Sequence, residues 1–371
     1  MGSEPRHRQI SRDLLAEIAA GRYGPGERLP SEAQLCQKFG VSRPTAARAL
    51  RELQEQGLID RRVGSGTYLR ASGGTGPGAA HRQLGLLVPA LGKMEIFEVI
   101  CGELAGLARV HEIGILWGGH ARPGADPGLS TQEAEALADH FVEKGVVGVF
   151  FAPFEHTADQ DPANRRIVEK LQRAGIPVIL LDRDLEPFPR RSPHDLVGID
   201  NFAGGYILAE HLVKLGARRL AMVTRPRSAA TVHARVAGAR AALGAHGIEP
   251  EDPFVREGDP THSGFVREVL AGRRVQAVIC TNDLTAAEFM QSLGRLKVAV
   301  PGALRVVGFD DVRYATLLPV PLTTIQQPCR EIAVAAFQAM RESIADPSLP
   351  PRSIMLTPRL IVRESCGAYR R

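Results

Sequence analysis

Long apolar runs, lysine, paired cysteines and tryptophan are all scarce in this chain of 371 residues. No apolar run approaches the roughly 20 residues that a membrane-spanning helix needs, so no partner membrane is expected. The first residues include arginines but no apolar signal-peptide core. Cys36, Cys101, Cys280, Cys329 and Cys366 are odd in number, far apart and form no C-x-x-C pair. That argues against a disulfide framework and fits reduced thiols in a cytoplasm. The eleven histidines lack zinc-ligand spacing, so no metal is expected, and no cofactor motif stands out. Six lysines stand among 46 basic residues, and beyond residue 80 they are only Lys93, Lys144, Lys170, Lys214 and Lys297. There is no G-x-S-x-G elbow, no G-x-x-x-x-G-K-[ST] loop and no H-E-x-x-H. An enzyme is therefore not expected.

What the chain does have is concentrated between Leu29 and Leu69. Ser31 opens an S-x-x-Q pattern with Gln34, a capping box at a helix start. Leu35 and Phe39 lie four apart, with Ala33 expected to pack beside them, and Gly40 suits a left-handed helix end. Ser42 is placed to cap a second helix, and Pro44 fits its first turn, where an amide would be unpaired anyway. Ala46, Ala49, Leu50 and Leu53 form an apolar stripe at helical spacing. Arg43, Thr45, Ala47, Arg48 and Arg51 are left to face outward. Leu58–Arg62 and Thr67–Leu69 read as strands joined by Val63-Gly64-Ser65-Gly66.

Two helices, a tight turn and a glycine-tipped hairpin make a winged helix-turn-helix, which implies double-stranded operator DNA as a partner. A helix entering the major groove by its N-terminal end presents Arg43 and Thr45 to base edges. Arginine offers parallel donors to guanine O6 and N7. Charge agrees: residues 1–71 hold twelve Lys+Arg against eight Asp+Glu, a net +4 of the chain's +5.

These residues resemble the GntR family of bacterial regulators, through Leu29-Pro30-Ser31-Glu32, Val41-Ser42-Arg43-x-Thr45, Ala49-Leu50-x-x-Leu53, Gly57-Leu58-Ile59 and Gly64-Ser65-Gly66-Thr67. The resemblance implies that Arg43 and Thr45 read the operator and that Gly66 sits at the wing tip. Ser31, Ser42, Pro44, Gly64, Ser65 and Thr67 join them as candidate DNA-contacting positions. Arg48, Arg61 and Arg62 are candidates for phosphate. The family often has arginine where this chain has Ala33 and Ala47. Arg48 does not replace the second, since it lies about 100° further round the helix.

Residues 1–70 are thus expected to form one domain. Residues 71–82 are rich in glycine and read as a flexible tether, spanning roughly 17 Å over ten residues. From Gln83 short apolar runs alternate with helical segments in two halves, which means an α/β fold of two lobes with parallel sheets covered on both faces. Ligands of such sheets bind beyond the carboxyl ends of the strands. The polar residues there are Asp182-Arg183-Asp184, Asn282-Asp283, Asp310-Asp311 and Gln326-Gln327, with Asp283 read as a helix cap. Arg235 interrupts an apolar helix. Carboxylates, amides and an arginine together suit adjacent hydroxyl groups, so a sugar-like small-molecule effector is expected.

Residues 83–366 look like the effector domain of the LacI/GalR family, a periplasmic-binding-protein-like fold. The resemblance rests on Val197-Gly198-Ile199-Asp200-Asn201, Arg235-x-x-Gly238, Thr281-Asn282-Asp283, Val307-Gly308-Phe309-Asp310-Asp311 and Leu322-Thr323-Thr324-Ile325-x-Gln327. It implies effector contacts at Arg235, Asn282, Asp310 and Gln327, with Asp182 and Arg183 nearby. It also implies three hinge crossings, a return of the helix near Arg330–Ala345 to the first lobe, and a homodimer. Pro89–Phe97 departs from the family pattern, and there Glu95 is a candidate effector ligand and Phe97 a candidate sugar-stacking ring, with core packing as the alternative for Phe97. Trp117 ends a strand, where ring stacking and core packing are both open. Residues 367–371 are a tail. The function implied is a repressor whose operator affinity a sugar or sugar derivative controls. The alternative is an enzyme domain acting on a sugar or amino compound, with a DNA-binding head.

Overall fold

The structure, a computed structural model, describes residues 6–19, 22–23, 27–55, 59–62, 66–69, 82–89, 91, 94–118, 129–250, 252–271 and 275–369. The chain divides into two compact units, Met1–His81 and Arg82–Arg371. Residues 71–81, expected to form the tether, lie outside the described residues.

The first unit contains α1 (Arg6–Ala19), α2 (Glu32–Phe39), α3 (Arg43–Glu55), β1 (Ile59–Arg62) and β2 (Gly66–Leu69). Helix α2 starts as its capping box requires: the Gln34 amide donates to Ser31 Oγ and the Ser31 amide to Gln34 Oε1, at 3.3 and 2.8 Å. It ends at Gly40 in the left-handed region, φ 61°. The stripe Ala46, Ala49, Leu50 and Leu53 is fully buried. Helix α1 supplies the other side of this core through Ile10 and Leu14, one helical turn apart. Ala33, expected against Leu35, is exposed instead. Strands β1 and β2 pair antiparallel from Ile59↔Leu69 to Arg62↔Gly66.

In the second unit a six-stranded parallel sheet forms the first lobe. It contains β3 (Gln83–Leu87), β4 (Gly114–Trp117), β5 (Gly148–Phe151), β6 (Val178–Leu181), β7 (Asp195–Ile199) and β13 (Ser353–Leu356), in the order β13-β7-β6-β5-β3-β4. The second lobe holds a four-stranded parallel sheet, β11-β10-β8-β9, from β8 (Leu220–Thr224), β9 (Val255–Glu257), β10 (Ala277–Cys280) and β11 (Arg305–Val307). The inner strands β5, β6, β7, β8 and β10 are buried at every position, as parallel strands covered by helices must be.

Three passages join the lobes. One leaves β7 for α7 (Asn201–Lys214). A second runs from β12 (Thr324–Gln326) into α11 (Cys329–Ala345), which packs on α4 (Glu95–Val110) of the first lobe. The third leaves β13 for β14 (Arg359–Ile361), which pairs antiparallel with β12. The short hinge pair β12–β14 could not be told from loop in the sequence, because three-residue strands carry no periodicity.

Helix α8 (Ala230–Ala245) crosses α7 very closely. A Cβ on Gly238 would collide with the Phe202 carbonyl oxygen, and one on Gly205 with that of Arg235. Two glycines thus set the depth at which α8 carries Arg235. Among the described residues no helix is long and apolar enough to cross a membrane.

Candidate functional site

Strand ends from both lobes of the second unit converge on one cleft. Asp182 and Arg183 follow β6, Asn282 follows β10, Asp310 follows β11 and Gln327 follows β12. Glu155 stands four residues beyond β5. Asp182, Arg183, Arg235, Asp310 and Gln327 are all buried. Asp182, Arg235, Asp310 and Gln327 line one small inner chamber of 20 Å³ together with Glu155 and Asn282.

The two guanidinium groups are held rigidly. Arg183 pairs with Glu155 at 2.5 Å and with Asp182 at 3.2 Å. Its other face lies over the Phe97 ring, 5.3 Å from the centroid. Arg235 donates from Nε to Asn201 Oδ1 at 2.8 Å and from Nη1 to the Thr281 carbonyl. It stacks on Phe309 at 3.6 Å. Gln327 Nε2 donates to Asp310 Oδ1 at 2.7 Å.

In the inner chamber two buried acceptors have no partner among the described residues: Asp182 Oδ1 and Gln327 Oε1. A buried orphan acceptor costs about 1–3 kcal/mol, so the cluster is built to receive donors. Asp182 (φ 67°) and Asp310 (φ 118°) also hold left-handed backbone. Strain of about 1–3 kcal/mol per residue concentrates at ligand clamps.

The charges explain the titration of the site. Asp182, Glu155 and Asp310 lie among the guanidinium groups of Arg183 and Arg235. Burial would raise the Glu155 carboxyl, but Arg183 and His156 outweigh it and hold it below the usual carboxylate range. Burial raises Asp310 to about 7; Arg235 and Gln327 oppose the shift, and Asp182 and Glu155 add to it. A hydroxyl donating to Asp310 prefers the carboxylate. Effector binding is therefore expected to release a proton and to tighten roughly tenfold between pH 6 and 8. Titration calorimetry at both values checks this, and a flat profile would remove Asp310 from the effector ligands.

The polar doublets divide their labour. Asn282, not Asp283, is the N-cap of α10 (Asp283–Arg295), accepting from the Thr285 amide at 2.8 Å. Asp283 is fully buried and accepts from Thr324 Oγ1 at 2.6 Å and the Val312 amide at 3.0 Å. Asp311 accepts from Arg363 and Gln326, and Asp184 from the amides of Glu186 and Ser192. These partners brace the framework while their neighbours line the chamber.

Some expectations need correction. Phe97 is 0 % exposed and belongs to the core beneath Arg183, so it cannot stack on a ligand. Its position in the first turn of α4 points it inward with Ile100 and Leu104. Trp117 is 52 % exposed at the end of the edge strand β4, outside both the core and the lining of the cleft. Glu95 lines an outer cavity of 380 Å³ and accepts from the Arg313 amide at 2.9 Å. Glu155 went unnoticed in the sequence because Ala152-Pro153-Phe154 separates it from its strand.

In the first unit Arg43, Pro44 and Arg48 are exposed on α3, with Ser42 just before it. Arg43 Nε lies 3.5 Å from Glu32. Thr45 is half-buried, its hydroxyl 2.9 Å from that of Ser42. Thr67 is buried, which corrects its place among the DNA-contacting positions. Gly66 opens the return strand at φ 126°, where a Cβ would meet the Arg28 side chain at 2.6 Å. Gly64, Ser65 and the side chains of Arg61 and Arg62 lie outside what is described.

Residues 6–69 match the model of bacterial regulatory proteins, gntR family, and residues 209–366 that of the periplasmic binding protein-like domain. The arabinose metabolism transcriptional repressor of Geobacillus stearothermophilus is 24% identical over 372 residues, 97% of each chain. The ribose operon repressor of Escherichia coli K12 is 32% identical over 194 residues, 51% of this chain and 58% of that protein. A structure described as a CelR transcriptional regulator–cellobiose complex superposes with a TM-score of 0.65 at 22% identity, covering 91% of this chain and all of the other. The chain is thus a transcription regulator, not an enzyme, that joins a gntR-family DNA-binding head to a LacI-type periplasmic-binding-protein-like domain.

Proposed function

We propose that this regulator is a repressor that binds its operator through α3 and the hairpin, and that a neutral sugar in the cleft controls it. The observation that carries the reading is the inner chamber. Two unpartnered acceptors, a raised carboxyl and a clamped arginine are a set that hydroxyl groups satisfy. The arabinose and ribose repressors among its relatives support the same class of effector. Two chains pair through their larger units and present two heads to a two-fold symmetric site. Closure around the sugar favours one spacing of the heads. Such coupling is typically about 1–3 kcal/mol, a change in operator affinity of about 5–150-fold.

A thermal-shift screen of pentoses, hexoses, sugar acids and nucleosides, followed by operator titration with each hit, tests this. A selective sugar at 100 times its Kd adds about 2.7 kcal/mol, several degrees in Tm. A sugar-induced change in operator affinity completes the case. Hits confined to nucleosides or acids, or a hit that leaves operator affinity unchanged, would overturn the reading.

A further inference from the structure

The cleft has two contiguous compartments of very different size. The inner chamber, 20 Å³, has room for about one water. The outer cavity, 380 Å³, falls within the range of small-molecule sites, roughly 300–1,000 Å³. Met94, Ile96, Asn282 and Asp310 line both, so a ligand held by the inner acceptors continues directly into the outer space. Opening the inner chamber enough for one ring would still leave the outer cavity beside it.

The outer cavity is lined in a way that suits a second ring. Leu284, Tyr314 and Leu317 line it from the second lobe and Met94 and Ile96 from the first, with Glu98 and Arg313 supplying charge. Leu317 is 74 % exposed and Leu284 43 %. An isolated exposed leucine means little, but two beside a tyrosine in a formed cavity offer an apolar surface to the C–H face of a sugar. The wall is also braced. The Val312 amide donates to buried Asp283 and the Arg313 amide to Glu95, at 3.0 and 2.9 Å. The turn Arg313–Thr316 that carries Tyr314 is thereby tied to both lobes.

Building on the sugar reading above, we propose that the effector is a disaccharide. One ring is bound by Asp182, Arg235, Asp310 and Gln327, and the second lies on Leu284, Tyr314 and Leu317. The outer residues then set which linkage and second sugar are accepted.

Titration calorimetry of the full chain at pH 8 compares D-xylose, L-arabinose, D-glucose and D-galactose with xylobiose, cellobiose, maltose and lactose. At least one disaccharide is expected to bind ten or more times tighter than its component monosaccharides. Leu317→Glu, at an exposed position where folding is undisturbed, should weaken that disaccharide about tenfold and leave the monosaccharide unchanged. Leu284→Ala should act in the same direction. Equal affinity for a disaccharide and its monosaccharides, or disaccharide binding indifferent to both variants, would overturn the second subsite and leave the sugar reading standing. Binding of none of the four disaccharides would overturn the second subsite, and absence of any neutral sugar among the hits of the wider screen would overturn both.

Discussion

Asp310→Asn is expected to abolish the effector response while leaving operator binding intact. The substitution preserves shape but replaces a carboxylate oxygen by an amide NH₂. An effector hydroxyl that donated to Asp310 then meets a donor. Hydrogen bonds to charged groups contribute about 1.5–3 kcal/mol each, so losing one and opposing it with a donor should weaken binding about 100-fold or more. The fold should not suffer. Burial and the neighbouring acids Asp182 and Glu155 raise Asp310 to about 7 from an ordinary 3.8. Its raised folded value means that ionisation works against folding. The native chain therefore loses stability as pH rises from about 4 to about 7, and the Asn variant is spared that loss. Chemical denaturation across that range should show the variant gaining relative to the native chain as pH rises. The residues that match the gntR family, 6–69, lie in the other compact unit, to which Asp310 does not belong. Operator titration with and without effector separates the outcomes. A retained response would remove Asp310 from the effector ligands. Failure of the effector-free variant to bind operator would mean that the substitution acts on more than the cleft.

Much of this machinery was legible in the sequence, and most of the failures have physical reasons. The capping box, Gly40 and the stripe Ala46–Leu53 act within one or two helical turns, so local spacing suffices to place them. Helix α1 was missed although Ile10 and Leu14 lie one helical turn apart, a spacing as local as that of α3. In the larger unit, apolar runs located the inner strands β3, β5, β6, β8 and β10, since a strand buried on both faces needs one, but the inner strand β7 was read only as a hinge crossing. The cleft followed from one rule, that polar residues just beyond such strands meet. That rule placed Asp182, Arg183, Asn282, Asp310 and Gln327 around one cleft. It failed for Glu155, where a Pro-Phe turn lengthens the exit from β5. It could not separate Asn282 from Asp283 either, since adjacent residues on a helix start point apart and only packing decides which is buried. Phe97 was misplaced for the converse reason: α4 begins at Glu95, so Phe97 already obeys helical periodicity and turns to the core.

Arg43→Ala should cost sequence discrimination more than affinity as such. Arg43 begins α3, is exposed and lies 3.5 Å from Glu32 in the first turn of α2. An exposed pair of this kind contributes about 0–1 kcal/mol, so removing it leaves the fold unharmed; its use is to limit where the guanidinium points. A bidentate arginine–guanine pair discriminates by about 1–3 kcal/mol, so the variant should bind the cognate site about 5–150-fold more weakly for each half-site. Binding to a scrambled duplex should change little. An arginine that only anchors phosphate predicts a different pattern. Cognate and scrambled duplexes would then be weakened alike, and the slope of log K against log salt would fall by about 0.9 for each phosphate no longer neutralised. Measuring both duplexes across a salt series therefore distinguishes reading from anchoring. Arg48→Ala is the internal comparison, because Arg48 lies further along the same helix and is expected to follow the phosphate pattern. With alanine at positions 33 and 47, where the gntR family often has arginine, the head has two fewer cationic side chains to place in a groove, so Arg43 is expected to carry a larger share of the selectivity. If discrimination survives Arg43→Ala unchanged, α3 does not enter the groove by its N-terminal end, and the assignment of the reading helix fails with it.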